Sequence, residues 1–136
     1  MKIDAIENGY VIDHIPAGKG MDVYKVLHLE WLQCQVAIIT NAKSVKSGAK
    51  DIIKINELIE LDLNTVAYIA PDATVNVIRD INCVEKKNLT LPKSVVNVIF
   101  CPNPRCICNN EPVDHEFRLT DDKGTYRCLY CETKAK

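Results

Sequence analysis

The sequence predicts an α+β chain built in two parts, and three observations carry that expectation. Strand-like and helix-like stretches alternate over residues 1–92, cysteines crowd into residues 93–136, and "LPKS" (residues 91–94) marks a boundary between them. With 136 residues, 47% hydrophobic and 26% charged, the chain has the composition of a folded protein rather than a disordered one.

The elements follow in order. "YVIDHI" (residues 10–15) reads as a strand closed by Pro16 and the glycines of "PAGKG". Val23, Val26, Leu27 and Trp31 fall on one face of an amphipathic helix. "QVAIIT" (residues 35–40) is a buried-strand run, "NAKSVKSG" a turn or flexible loop, and "KDIIKI" (residues 50–55) a further strand. Ile59, Leu63, Val66, Ala67 and Ala70 return to helical spacing until Pro71. "ATVNVI" (residues 73–78) and "NCVEKKNL" (residues 82–89) read as two strands around the turn "RDIN". The order βαββαβ plus one strand fits a ferredoxin-like antiparallel sheet with two helices on one face. A small all-β unit is expected to follow.

The formal net charge of −1 gives no global field toward nucleic acid or an anionic membrane. No apolar run approaches the roughly 20 residues of a membrane span. The opening "MKIDAIENGY" interrupts its apolar residues with Asp4, Glu7 and Asn8, unlike a signal peptide, so a cytoplasmic location is expected. In a reducing compartment, clustered cysteines read as metal ligands rather than disulfides.

A unit as short as residues 93–136 buries little apolar surface, and a structural metal would supply the missing stability. Its cysteines run C-P-N-P-R-C-I-C, then C-L-Y-C after Cys106 and 21 further residues. Two such turns brought together give a closed tetrathiolate site for one Zn2+, with no open position for catalysis. Cys128 and Cys131 form a standard chelating turn, and Cys101 with Cys106 has a usual zinc spacing. Cys106 with Cys108 is a tighter loop, so Cys101, Cys106, Cys128 and Cys131 are the expected ligands and Cys108 a free thiol. His115 could replace one thiolate but reads as a solvated residue of a polar turn. Zinc modules often bind nucleic acid, yet seven Lys or Arg here meet six acids, too small an excess for that purpose.

In the N-terminal part, Asp13 and His14 are adjacent, and simple strand alternation sends them to opposite faces. "GKG" (residues 18–20) lacks the remainder of a phosphate-loop pattern.

In this order, "VIDHIPAG", "KDIIKI", "APDATVNVI" and the paired cysteine clusters resemble the regulatory chain of aspartate carbamoyltransferase, over essentially the whole chain. The resemblance implies a non-catalytic chain of pyrimidine biosynthesis, with residues 1–92 an allosteric nucleotide-binding domain and residues 93–136 a zinc domain docking to the catalytic chain. ATP would activate, CTP inhibit and UTP assist CTP, with regulatory homodimers bridging catalytic trimers. It implies Cys101, Cys106, Cys128 and Cys131 as zinc ligands, and not Cys108. For the nucleotide it implies Asp13 toward the ribose, Lys54 near ribose and base, and His14 and Lys86 toward the phosphates. Asp4, Ala5, Ile6, Asn76 and Ile78 would line the pocket, and Asn103 and Glu132 would touch the catalytic chain. The chain departs from the family at Ile81, where an aromatic residue is common, at Cys83, where an apolar residue stands, and at Arg105, in place of an amide. The alternative reading is a zinc-ribbon nucleic-acid-binding protein.

Overall fold

The computed structural model describes residues 6–45 and 48–135. The chain divides into two compact units, Met1–Thr90 and Leu91–Lys136. In the first, β1 (Gly9–Pro16), α1 (Gly20–Val26), β2 (Val36–Ser44), β3 (Gly48–Ile55), α2 (Leu63–Ile69), β4 (Thr74–Arg79) and β5 (Asn82–Asn88) follow one another. The strands form one antiparallel sheet in the order β2-β3-β1-β4-β5. In the second unit, β6 (Ser94–Val96), β7 (Glu116–Leu119) and β8 (Tyr126–Cys128) make a three-stranded sheet in that order. The expected α+β class, with two helices on the first sheet and a small all-β cysteine unit, is the one observed.

Strand alternation decides which face is covered. Ile12, Ile15, Ile53, Ile55 and Val75 point to one side and bury against Val23, Leu29, Val66 and Ala70. Full burial of each such aliphatic side chain stabilises the fold by about 1.5–3 kcal/mol. The opposite face carries Val11, Lys54, Asn76 and Lys86 side by side across four paired strands.

Both helices are shorter than their periodicity predicts. At the end of α1, His28 adopts a left-handed conformation (φ 53°), and a 3-10 turn over Leu29–Trp31 follows. That break moves Leu29 into the core, at 1% exposure, and turns Trp31 out to 72%, stacked on His28. The expectation that Trp31 shares one helical face with Val23, Val26 and Leu27 therefore fails, because helical spacing does not continue through residue 28. At α2, Asp62 caps the helix by accepting from the Thr65 backbone N–H and from its hydroxyl. The helix thus starts after Ile59 and Leu61, which pack on the core from the preceding segment. All of "NAKS" in the expected loop continues β2, pairing Lys43 with Ala49 and Ser44 with Gly48. The "RDIN" turn holds Asp80 and Ile81 at positive φ (51° and 73°), as a two-residue hairpin requires, although a β-branched residue fits that conformation poorly.

Asp51 is the buried exception in the core, at 1% exposure. Its carboxylate accepts from the backbone N–H groups of Gly18 (3.0 Å), Gly20 (2.9 Å) and Asn41 (3.0 Å). A side chain at Gly20 would meet that carboxylate, since a Cβ there would lie 2.8 Å from Asp51 Oδ2. The glycines of "GKG" thus serve the Asp51 carboxylate. No helix among the described residues is long and apolar enough to cross a membrane. Asp51→Ala is expected to lower the stability of the N-terminal unit by roughly 3 kcal/mol, because three backbone N–H donors, that of Gly20 buried, lose their acceptor. Urea unfolding checks this, and an unmoved midpoint refutes it.

Candidate functional sites: an open sheet face and a thiol cluster

The open face of the first sheet ends in a cavity of about 610 Å³ beside the end of β1. His14, Pro16, Ser44 and Lys50 line one side, and Asp72, Thr74, Lys86 and Asn88 the other. A register shift between Ile12 and Ile15 builds this end of β1, with His14 in a left-handed conformation (φ 62°). The bulge overturns the expectation that Asp13 and His14 face apart. Two residues occupy the space of one, which sets His14 Nδ1 3.9 Å from Asp13 Oδ1 and 3.2 Å from Thr74 Oγ1. Asp13 also pairs with Lys50 at 2.9 Å.

Partial burial pushes the Asp13 carboxyl up, but the Lys50 ammonium and the His14 backbone N–H, donating at 2.6 Å, outweigh it. Together they hold the group below its ordinary value of 3.8. A depressed folded-state pKa means that ionised Asp13 stabilises the fold above pH 3.8 and loses that contribution as pH falls through the lower folded value.

Of the residues expected at a nucleotide, His14 and Lys86 line the cavity, and Asp13 reaches its edge through Lys50. Lys54 and Asn76 lie on the same face in the row of Val11 and Lys86, and Ile78 one row further, opposite Gly9. Ile6 is buried at 8% exposure. Asp4 and Ala5 lie outside the described residues. Sequence reading missed Ser44, Lys50, Asp72, Thr74 and Asn88. Alternation in "KDIIKI" carried a usable signal for one of them: Asp51, Ile53 and Ile55 are buried, so Lys50 and Lys54 must share the other face.

In the second unit, Val95, Phe117 and Tyr126 form a narrow apolar base, with the Tyr126 hydroxyl donating to the Pro92 carbonyl at 2.6 Å. Above it stand the thiols. Cys101 and Cys131 sulfurs are 3.5 Å apart, Cys106 and Cys128 3.6 Å, and Cys108 lies 3.3 Å from Cys106. Asparagines lace the first knuckle: Asn109 Nδ2 donates to the carbonyls of Cys101 and Asn103, and Asn110 Nδ2 to those of Pro104 and Cys106. In the second, Glu132 in a left-handed conformation (φ 64°) donates its backbone N–H to the Cys128 carbonyl.

Burial pushes the Cys101 thiol up, and burial together with the neighbouring Cys106 sulfur pushes Cys108 up to about 11. At Cys131 the Thr133 hydroxyl, 3.1 Å away, outweighs burial and lowers the thiol to about 6. Such crowding resists multiple negative charges, and a bound cation would supply the compensating charge. The donor set fits that role. It is all sulfur, mostly buried, and spaced near the ~3.8 Å edge of a tetrahedron with zinc–sulfur bonds of about 2.3 Å. His115 is not the solvated residue expected: its Nδ1 accepts the Cys101 backbone N–H at 3.2 Å, and its ring meets Phe100 edge-on. Asn103 braces the first knuckle by accepting from the Arg105 backbone N–H, whereas Glu132 is exposed.

One chain thus joins an open sheet face with a polar cavity to a cysteine knuckle module suited to a metal, with no catalytic constellation at either place among the described residues. Comparison with known proteins agrees. Residues 1–90 match the profile of the allosteric domain of the aspartate carbamoyltransferase regulatory chain, and residues 93–136 that of its metal binding domain. The chain is 47% identical over 134 residues to an aspartate carbamoyltransferase regulatory chain of Clostridium botulinum, covering 97% of this chain and 92% of the relative. It is 45% identical over 134 residues to that of Clostridium acetobutylicum, with the same coverage. Against that of Porphyromonas gingivalis it is 44% identical over 137 residues, covering 98% and 91%. The chain belongs to the aspartate carbamoyltransferase regulatory chain family, and is a regulatory rather than a catalytic subunit. Membership decides against the nucleic-acid reading.

Asp13→Asn is expected to flatten the acid-unfolding curve below about pH 4, where the native carboxylate otherwise gives up its stabilising charge. Circular dichroism across that range checks it, and coincident acid limbs for variant and parent would contradict the assignment.

Proposed function

We propose that this chain is the allosteric subunit of an aspartate carbamoyltransferase in pyrimidine biosynthesis, acting in the cytoplasm. Residues 1–92 bind ATP, CTP and UTP at the open sheet face. Residues 93–136 hold one structural Zn2+ through Cys101, Cys106, Cys128 and Cys131 and dock onto the catalytic chain. Regulatory homodimers bridge catalytic trimers, with Asn103 and Glu132 in the docking surface.

The observation that carries the nucleotide reading is the convergence of His14, Lys50 and Lys86 on one cavity. Its size, about 610 Å³, suits a small organic ligand. A triphosphate brings several negative charges, which ammonium groups meet with charge-assisted hydrogen bonds. Asp13 offers acceptors to ribose hydroxyls, and Lys54 and Asn76 extend polar contacts along the same face toward the base. Cys83, with its sulfur 3.9 Å from Asn76 Oδ1, stands where that end of the ligand would lie.

Binding requires no nucleophile or open metal position, and a closed tetrathiolate offers none. When bound, zinc supplies the positive charge that lets four crowded thiols stay deprotonated. Cys101 and Cys106 then fix one knuckle and Cys128 and Cys131 the other, holding a surface that a small apolar base alone would hold weakly. Effectors of opposite sign act from one pocket when each favours a different global state, and active-site ligands must in return alter nucleotide affinity.

Lys86→Ala is expected to weaken CTP and ATP binding by about 10- to 100-fold, the loss of one charge-assisted contact, with assembly intact. Calorimetry that returns the parent affinity removes Lys86 from the site. Cys128→Ser is expected to dissociate the catalytic chain while the nucleotide domain stays folded. Size-exclusion chromatography tests this, and an intact holoenzyme would refute it.

A further inference from the structure

We propose that the metal module of this chain has five ligand positions for one ion, with Cys108 able to take the place of Cys131. The proposal rests on the structural-metal reading above and extends it. Residues Ile107–Asn109 form a 3-10 turn that starts directly after Cys106. The turn folds Cys108 back, so its sulfur lies 3.3 Å from that of Cys106 at 4% residue exposure. The sulfurs of Cys101, Cys106, Cys108 and Cys128 all lie within 4.8 Å of one another. Those four alone meet the dimensions of a tetrahedral thiolate site. Cys131 enters from the other knuckle, 3.5 Å from Cys101, and is half-buried.

Two sets of four thiols therefore share Cys101, Cys106 and Cys128 and differ in the fourth member. Zn2+ has no geometric preference from its d electrons, so two tetrathiolate sets are equivalent in donor type and charge. In the exchange, Cys108 gives up its proton and forms the sulfur–zinc bond that Cys131 releases, and Cys131 takes up a proton. Net charge and oxidation state stay unchanged.

The chain is affected unequally. Cys131 ties down the second knuckle, including Glu132 and Thr133, whereas Cys108 ties down a turn already laced by Asn109 and Asn110. Exchange leaves the second knuckle held to the metal by Cys128 alone while the ion stays in place.

The test compares full-length parent, Cys108→Ser, Cys131→Ser and the double variant, by zinc competition against a chromophoric chelator and by cobalt(II) substitution. Cys108→Ser should retain the parent's affinity. Cys131→Ser should keep one tightly held metal and the charge-transfer intensity of four thiolates. The double variant should lose about a quarter of that intensity. It should also lose more affinity than the roughly 10- to 100-fold that removal of an outer partner costs. Equal affinity and equal spectra for Cys131→Ser and the double variant overturn the exchange alone. A parent that binds no metal overturns the metal reading and the exchange together. Should Cys131→Ser misfold, the zinc-loaded parent can be alkylated with iodoacetamide and mapped by mass spectrometry. Label on both Cys108 and Cys131 supports exchange, and label on Cys108 with Cys131 fully protected overturns it.

Discussion

The buried carboxylate of Asp51 sets the shape of the sheet end where the nucleotide reading places its ligand. It accepts three backbone N–H groups from two separate segments, the stretch from Gly18 to the first residue of α1 and the irregular point of β2. Both strands flanking β3 lose regular pairing beside it, β1 between Ile12 and Ile15 and β2 between Ile39 and Ala42. An irregular backbone inside a protein must satisfy its donors without a ladder partner. The Asp51 side chain does that for Asn41 in β2, and Asp13 does it for the His14 N–H in the β1 bulge. Because the Gly18 and Gly20 N–H groups of "GKG" are engaged by Asp51, they are not free to act as a glycine-loop cradle.

Lys50 follows from the same constraint. Adjacent residues on a strand point to opposite faces, so burying Asp51 turns Lys50 outward to Asp13 and the cavity. The buried and the cavity-facing residues are thereby separated by the parity of β3. Ile53 and Ile55 complete the core with Asp51, while Lys50 and Lys54 face the open side. A substitution at an outward position can change the ligand face without creating a cavity in the core. The converse does not hold, since replacing Asp51 removes the acceptor that joins Gly18 and Gly20 to Asn41 beside the cavity.

Legibility in the sequence followed how local each determinant was. Element type and order depend on patterns within a few residues, and the two-part α+β architecture was readable from them. The end of α1 was not, because a left-handed residue at His28 leaves no periodic trace and Leu29, not Trp31, inherits the core position. Asp13 and His14 were misplaced for a related reason. Alternation assumes one residue per rung, and a bulge breaks that count. Lys86 and His14 were within reach of sequence because the family resemblance named them. Ser44, Asp72, Thr74 and Asn88 were not, since only the register of the sheet brings four distant segments to one cavity.

The thiol cluster shows the same limit at closer range. Spacing ranks pairs of cysteines by the loop each must close, so it favours Cys101 with Cys106 over the short C-x-C loop. That reasoning compares isolated loops, whereas a metal responds to where sulfurs stand in space. The backbone after Cys106 turns at once, through hydrogen bonds from Asn109 to Cys106 and from Asn110 and Glu111 to Ile107. A 3-10 turn of that tightness sends the second residue after Cys106 back toward it, and Cys108 is that residue. Its burial beside Cys106 places a thiol against a site that already has four sulfur donors. In a unit whose apolar base is largely Val95, Phe117 and Tyr126, a bound metal would add a large share of the folding energy. A fifth thiol in such a unit bears directly on how the fold is held, because the four sulfurs a metal takes determine whether the second knuckle is held by two of them or by one.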